Sequence, residues 1–273
     1  MTRRAVLAAL AALALAAQGA EPVAFVADLK GNATIEGDGA VTFLAELAAG
    51  TRLFLGSHAS MSVTYVATGA EFTIAGPGEF LVAPTEIRTQ KGAAPTRRSV
   101  AVPPDPGVVA RVSRTATASL RMRGIGDDGK TKPALESPVN TRVSTLQPTL
   151  RWKGGPRAEK ATVSVIDASG KEVWKADAAH GSARPAVALA PATAYTWTVA
   201  TPQGSLGEAT FETLAAPQMA RIAKSRAAAK TFSNRVVHAL LLQEVGATQE
   251  AREAWAALAG ERPDLPELAA LAR

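Results

Sequence analysis

Short runs in which apolar and polar residues alternate make up two long stretches of this chain, residues 21–98 and 137–214. Each run is rich in β-branched or aromatic residues and ends at glycine, proline or asparagine, as in EFTIAG and EFLVAP. A period of two places successive side chains on opposite faces of a strand, and short strands of this kind are typical of antiparallel sandwiches and rolls. Because 273 residues exceed the usual size of one domain, the sequence predicts a mostly β, multidomain protein.

The tripeptide Gly76-Pro77-Gly78 separates two of these runs and has two interpretations. A glycine-rich loop can cradle a phosphate, but only where a helix N-terminus follows it. Here the next residues, EFLVAP, have the alternation of a strand. Glycine can adopt a positive φ and proline fixes its own φ, so the tripeptide is predicted to be a corner between two strands.

Residues 46–82, ELAAGTRLFLGSHASMSVTYVATGAEFTIAGPGEFLV, resemble the FecR-type domain of bacterial envelope proteins. The positions that carry this resemblance are Gly50, Gly56, Gly69, Glu71 and Gly76-Pro77-Gly78. The resemblance implies a periplasmic β-domain, an antiparallel sandwich or roll, over residues 21–98. The best-known members of that family are transmembrane signal transducers with a cytoplasmic anti-sigma segment. This chain has an export signal at that place, so sigma-factor regulation is not carried over.

Residues 137–214 resemble a fibronectin type III-like sandwich. Trp152 follows PTLR where that family places a core tryptophan, and LAPATAYTWTV matches the family's strand corner. The resemblance implies that Tyr195 forms a hydrogen bond back to the backbone, as a tyrosine corner does. Trp152, Trp174 and Trp197 either pack in the core or stack on sugar rings. Trp174, near a predicted turn, is the best candidate for exposure.

From residue 215 the apolar period becomes helical, and residues 215–273 are predicted to be a helical tail. The segment VVHALLLQEVGATQEAREAWAALAGERPDLPEL resembles one tetratricopeptide repeat, with Leu242, Trp255 and Leu258 among the residues at that repeat's spacing. A single repeat cannot bury its own apolar face. This helical hairpin is therefore expected to pack on the preceding helix, on the sandwich or on a partner. We predict that these three residues dock an envelope protein.

The segment 99–136 is predicted to be a basic linker containing proline and glycine, in which VARVSRTATASLRMRG alternates well enough to return as a strand to the first sheet. Residues 88–132 hold ten Lys or Arg and three Asp, a net charge of +7, whereas the whole chain carries +6. Such a stripe attracts anionic partners, and the alternative is a solvated basic face. The absence of aromatic residues among these arginines argues against nucleic acid. The residues predicted to form the anion-binding surface are Arg111, Arg114, Arg121 and Arg123.

No motif indicates a cofactor, a nucleotide or a catalytic centre. GIGDDGKT, residues 124–131, matches a phosphate-loop pattern, but Pro133 leaves no room for the helix that such a loop needs, and two aspartates would repel phosphate. His58, His180 and His238 lack metal-binding spacing. The chain has neither a G-x-S-x-G motif nor a cysteine nucleophile. We therefore predict no cofactor, no bound metal and no enzymatic activity.

The first twenty residues, MTRRAVLAALAALALAAQGA, have the pattern of an export signal peptide. Two arginines precede an Ala/Leu run that is shorter than the roughly 20 apolar residues of a spanning helix. Cleavage after Ala16, Gly19 or Ala20 fits the small residues, with Ala20 preferred, and general secretory and twin-arginine export both remain open. The chain contains no cysteine, so no disulfide is expected. The sequence predicts a bacterial periplasmic protein, or a secreted one, without a transmembrane segment after cleavage.

These features together favour an exported, non-enzymatic binding or scaffold protein of the cell envelope. Its β-domains would hold an anionic polymer or another envelope ligand, and its helical tail would dock a protein. Two alternatives follow from the same sequence. One is a ligand-sensing or regulatory component of a transport or signalling system, as the FecR resemblance implies. The other is a polysaccharide-processing enzyme whose active site is assembled from residues distant in sequence.

Overall fold

The computed structural model describes residues 21–37, 39–100, 102–121, 135–153, 161–179 and 181–273. The predicted export signal, Arg123, the GIGDDGKT segment and His180 lie outside these ranges. Within them the chain is mostly β, with several antiparallel sheets and a C-terminal helical segment. The alternating runs predicted this fold class correctly.

The first β-unit comprises ten strands in two five-stranded sheets. The strands are β1 (Pro22–Lys30), β2 (Ala33–Ile35), β3 (Gly39–Ala40), β4 (Glu46–Ala48), β5 (Arg52–Leu55), β6 (Ser60–Tyr65), β7 (Ala70–Ala75), β8 (Gly78–Val82), β9 (Ile87–Lys91) and β10 (Thr96–Ser99). One sheet has the order β10-β7-β6-β1-β4 and the other β3-β2-β5-β8-β9, with antiparallel pairing. The inward side chains form a shared core that includes Val26, Leu53, Val63 and Phe80.

Gly76-Pro77-Gly78 forms the corner between β7 and β8, as predicted. The corner needs glycine for a reason other than the one expected, because neither glycine has a positive φ. A Cβ added at Gly76 would lie 2.1 Å from the carbonyl oxygen of Gly56, and one at Gly78 would lie 2.9 Å from that of Lys91. Close approach of neighbouring backbone therefore excludes a side chain at this corner.

In its described residues, the second β-unit has eight strands in two sheets that face each other across another core. The strands are β11 (Leu135–Ser137), β12 (Thr141–Val143), β13 (Leu150–Trp152), β14 (Ala161–Asp167), β15 (Glu172–Ala178), β16 (Ser182–Ala183), β17 (Ala194–Thr201) and β18 (Gly204–Thr213). The sheet orders are β11-β13-β16 and β12-β18-β17-β14-β15. The pairing of β12 with β18 is parallel.

Aromatic side chains fill the core of the second β-unit. Trp152 and Trp197 are 5% and 0% exposed, so core packing, rather than sugar stacking, holds for both. The indole N–H of Trp197 donates a hydrogen bond to the carbonyl of Pro138 at 2.8 Å. The hydroxyl of Tyr195 accepts one from the N–H of Ala190 at 2.9 Å, which is the predicted bond back to the backbone. Trp174 is half-buried at the edge of the same core.

Five helices complete the described part of the chain: α1 (Pro106–Arg121), α2 (Ala216–Ala228), α3 (Phe232–Glu244), α4 (Thr248–Glu261) and α5 (Pro266–Leu271). The first of these corrects the prediction that the basic segment is a linker with a returning strand. Asp105 caps α1 by accepting a hydrogen bond from the N–H of Gly107 at 2.8 Å. Val108, Val112 and Ala116, spaced four residues apart, form its buried face.

The helices share one core with the outer face of the first β-unit. Phe25 and Ala27 of β1 point away from the sandwich and pack with Phe43, Leu44 and the apolar faces of α1 and α3 to α5. Consequently β1 is buried on both faces. This arrangement corrects the prediction of a partner-docking tail. The three residues assigned to docking are 2%, 0% and 2% exposed in this core: Leu242, Trp255 and Leu258.

Candidate functional site

A cleft of about 690 Å³ opens where α1, the second β-unit and the α3–α4 turn meet. Its volume falls within the roughly 300–1,000 Å³ that is usual for ligand sites. Three segments that are distant in sequence build its walls. The residues that matter most for its chemistry are Arg111, Thr115, Asn140, Arg142, Phe211 and Gln243. We call it the junction cleft.

The α1 wall follows from the helical period of its sequence. Val108 and Val112 are buried, one turn apart, and hold the helix against its neighbours. Arg111 and Thr115, also one turn apart, are exposed and line the cleft. The hydroxyl of Thr115 donates to the carbonyl of Arg111 at 3.0 Å. Arg111 is thus presented on a rigid element rather than on a loop.

The opposite wall is held by contacts between the second β-unit and the helical hairpin. The N–H of Arg142 donates to the carbonyl of Gly246 at 3.1 Å. The methylene groups of its side chain lie beside that glycine, and its guanidinium pairs with Glu212 of β18 at 3.2 Å. Nearby, the N–H of Ser144 donates to the carboxylate of Glu250 at 2.7 Å. These contacts hold β12 against the start of α4 and so fix the wall of the cleft that faces α1.

The junction cleft carries one cation that is not neutralised within the described chain. Its two carboxylates are already engaged, since Glu212 pairs with Arg142 and Glu244 with Arg221. Arg111 forms no ion pair with any described residue. The cleft therefore presents a guanidinium with five N–H donors to whatever enters it.

Two amide side chains add hydrogen-bonding capacity to the cleft. The Oδ1 of Asn140 accepts a hydrogen bond from the hydroxyl of Thr210 at 3.0 Å, which leaves its Nδ2 to donate elsewhere. The Oε1 of Gln243 is buried and has no hydrogen-bond partner among the described residues. An unsatisfied buried acceptor costs about 1–3 kcal/mol.

The arginines predicted to form an anion-binding surface lie in different places in the structure. Arg111 lines the junction cleft, whereas Arg114 is exposed on the same helix outside it. Arg121 is the last residue of α1, and Arg123 lies outside the described ranges. No pattern in the sequence pointed to Asn140, because its role depends on a contact between segments far apart in the chain.

Two titratable groups outside the cleft have pKa values that are shifted mainly by burial. Burial, and then the nearby Arg226 cation, lower the pKa of His238 to about 4, and its Nδ1 lies 3.3 Å from the hydroxyl of Ser225. Burial and then the Glu86 carboxylate raise the pKa of Tyr65, whose hydroxyl donates to the carbonyl of Ala83 at 2.9 Å. Among the described residues, no group of three or more His, Asp or Glu side chains could hold a metal ion.

No protein-family model matches this chain, and no curated protein matches it. In the ranges that the structure describes, no helix combines the length and apolarity needed to cross a membrane. The functional assignment therefore depends on the geometry of the cleft and on the residue patterns of the sequence.

Proposed function

We propose that this is an exported protein of the bacterial envelope that binds an acidic ligand, without catalysis, in the junction cleft. The observation that carries the proposal is the unpaired guanidinium of Arg111 on the wall of a ligand-sized cleft. The signal-like first twenty residues and the lack of cysteine support export. Strand β1 begins at Pro22, two residues after Ala20, the preferred cleavage position.

The proposed modules are FecR-like, fibronectin type III-like and tetratricopeptide-like. For the second module, the support is its pairing of a three-stranded with a five-stranded sheet and the hydrogen bond that Tyr195 receives. For the helical module, the support is the antiparallel pair α3 and α4 with Trp255 buried between them. For the first module, it is the Gly76-Pro77-Gly78 corner at the end of a strand that contains Glu71.

The chemistry of the cleft favours a ligand that carries carboxylate or phosphate groups along a polar chain. A guanidinium binds such groups through two parallel hydrogen bonds, which are stronger than neutral ones. The Nδ2 of the exposed Asn140 can donate to a hydroxyl group of the same ligand, and Phe211 and Val245 offer apolar contact. We propose an acidic polysaccharide as the ligand class, since it combines all three requirements.

A second candidate function is ligand sensing. The junction cleft is lined by α1, by β12 and β18, and by the α3–α4 turn. A ligand seated there contacts all three at once and would stabilise their present arrangement against any other. Binding would then be coupled to the relative positions of these elements, which is what a regulatory component of a transport or signalling system requires.

The test compares two arginines of one helix. Polygalacturonate, a polymer of carboxylated sugars, is titrated into the wild-type chain, Arg111→Gln and Arg114→Gln. We expect Arg111→Gln to weaken binding about tenfold or more, as the loss of a charge-assisted hydrogen bond does. Arg114→Gln removes the same charge outside the cleft and should change affinity less than about threefold. Equal losses in the two variants, or equal binding of uncharged dextran, would overturn the proposal.

A further inference from the structure

A second pocket, of about 250 Å³, lies on the outer face of the first sheet, where β1, β6, β7 and β10 meet the first turn of α3. It is separate from the junction cleft and shares none of its lining. Polar side chains dominate its walls. The polar residues that line it include Asp28, Ser62, Glu71, Thr73, Arg98 and Ser233.

The base of this pocket contains a buried carboxylate that is only half satisfied. Glu71 is 3% exposed. Its Oε2 accepts a hydrogen bond from the hydroxyl of Ser233 at 2.8 Å. Its Oε1 receives none from the described residues, and this oxygen is open to the pocket rather than sealed in the core. A buried carboxylate oxygen in this position favours a charged or strongly polar donor.

A cation stands beside this carboxylate without neutralising it. Arg98 lies directly opposite Glu71 in the antiparallel pair of β10 and β7, so both side chains are on one face of the sheet. The two nonetheless form no ion pair, because Glu71 turns towards Ser233. Arg98 is exposed and has no anionic partner among the described residues. The pocket therefore holds the unpaired Glu71 oxygen and the unpaired Arg98 on the same face of the sheet, and Lys30, a second exposed cation, also lines it.

The remaining walls provide neutral hydrogen-bonding groups. The hydroxyls of Ser62 and Thr73 lie 3.2 Å apart, across β6 and β7. Each hydroxyl has capacity left for a ligand. The carboxylate of the nearby Asp28 is not free to bind a ligand, because it pairs with Arg262.

We propose that this pocket binds a small zwitterion of the α-amino acid class, with its ammonium group on Glu71 Oε1 and its carboxylate on Arg98. A pure anion would leave the buried carboxylate without a donor, and a pure cation would leave Arg98 unpaired. An amino acid satisfies both groups, and its backbone fits a pocket of this size. The hydroxyls of Ser62 and Thr73 then contact the polar atoms between the two charges.

The experiment uses the whole mature chain and calorimetric titration with the twenty standard amino acids, each tested singly up to about 10 mM. At least one should bind. Its N-acetylated form, which lacks the ammonium group, and its amide, which lacks the carboxylate, should each bind at least tenfold more weakly. Absence of binding by all twenty to the folded chain would overturn the proposal, and so would equal binding of the N-acetylated form.

Variants identify the site. Glu71→Gln keeps an acceptor for Ser233 but removes the charge, and Arg98→Gln changes an exposed residue that the fold does not require. Each should reduce affinity at least tenfold. Lys91→Gln, an exposed cation of β9 outside the pocket, is the matched control and should leave affinity unchanged. Circular dichroism establishes that each variant is folded. Binding that survives Arg98→Gln in a folded chain would contradict the assignment.

Discussion

The guanidinium of Arg262 pairs with the carboxylate of Asp28, a residue 234 positions away in the sequence. It also donates to the carbonyl of Leu29 at 2.6 Å and lies 5.2 Å from the centre of the Phe232 ring. The Arg262 side chain is only 11% exposed. This contact fastens the C-terminal helices to the first strand of the protein.

The Arg262–Asp28 pair should be measurably stabilising, because both partners are largely removed from water. In a double-mutant cycle with Arg262→Ala and Asp28→Ala, we expect a coupling free energy of about 1–3 kcal/mol by urea unfolding. The matched control is the pair Arg52–Glu36, whose side chains are 60% and 58% exposed. That pair should couple by less than about 0.5 kcal/mol. Equal coupling in the two cycles would contradict the structural role assigned to Arg262.

Removal of residues 215–273 should destabilise the first β-unit. The truncation uncovers Phe25 and Phe43, and a buried phenylalanine contributes about 1.5–3 kcal/mol. The second β-unit has a core of its own and should survive. The shortened chain keeps tryptophan only in that unit, so tryptophan fluorescence follows it alone. We expect cooperative unfolding by fluorescence together with rapid proteolysis of residues 21–98, whereas resistance of both units would show that the helices are dispensable.

Trp255 tests the helical core. Trp255→Ala should lower the free energy of unfolding by about 3–5 kcal/mol, since the indole is fully buried. Trp255→Phe should cost at least about 1 kcal/mol less, because it retains most of the volume and removes an N–H that has no partner among the described residues. The half-buried Trp174 is the control, and Trp174→Ala should cost less than Trp255→Ala. Equal costs for the two alanine variants would be inconsistent with this core.

His238 should make stability depend on pH in a defined window. Its pKa is lowered from 6.5 to about 4 by burial and by Arg226, so between these values the unfolded state binds more protons than the folded state. The contribution of His238 to the free energy of unfolding is then complete above about pH 6.5 and is lost as the pH falls towards 4. Discounted for partial exposure, the loss should be about 1–2 kcal/mol. His238→Gln should remove this component, and identical pH profiles of the variant and the wild type would contradict it.

Local features of the sequence were sufficient for the strands and the Gly76-Pro77-Gly78 corner, because alternation and turn residues act over a few positions. A local signal for α1 was also present but was not recognised: Asp105-Pro106 is a helix start, and the valines at 108 and 112 share a helical face. The alternation of alanine, serine and threonine obscured that face, because small residues are tolerated on either side of a helix or strand.

Non-local contacts explain what the sequence could not give. The unbroken apolar run VAFVA of β1 indicated burial on both faces. No local pattern indicated that the second face of β1 would be covered by helices more than two hundred residues later in the chain. The junction cleft also depends on non-local contacts. The charge surplus pointed to Arg111, but Asn140 and Gln243 join it only because three distant segments meet.

The most direct test of the central claim, ligand binding in the junction cleft, uses the absence of cysteine from the chain. A single cysteine is placed at Thr115, which lines the cleft, or at Ala118, which is exposed on the same helix outside it. The rate of thiol alkylation is then measured with and without saturating polygalacturonate. We predict that the polymer slows alkylation of Thr115→Cys about tenfold or more and leaves Ala118→Cys unchanged. Unchanged alkylation of Thr115→Cys under saturating polymer would contradict it.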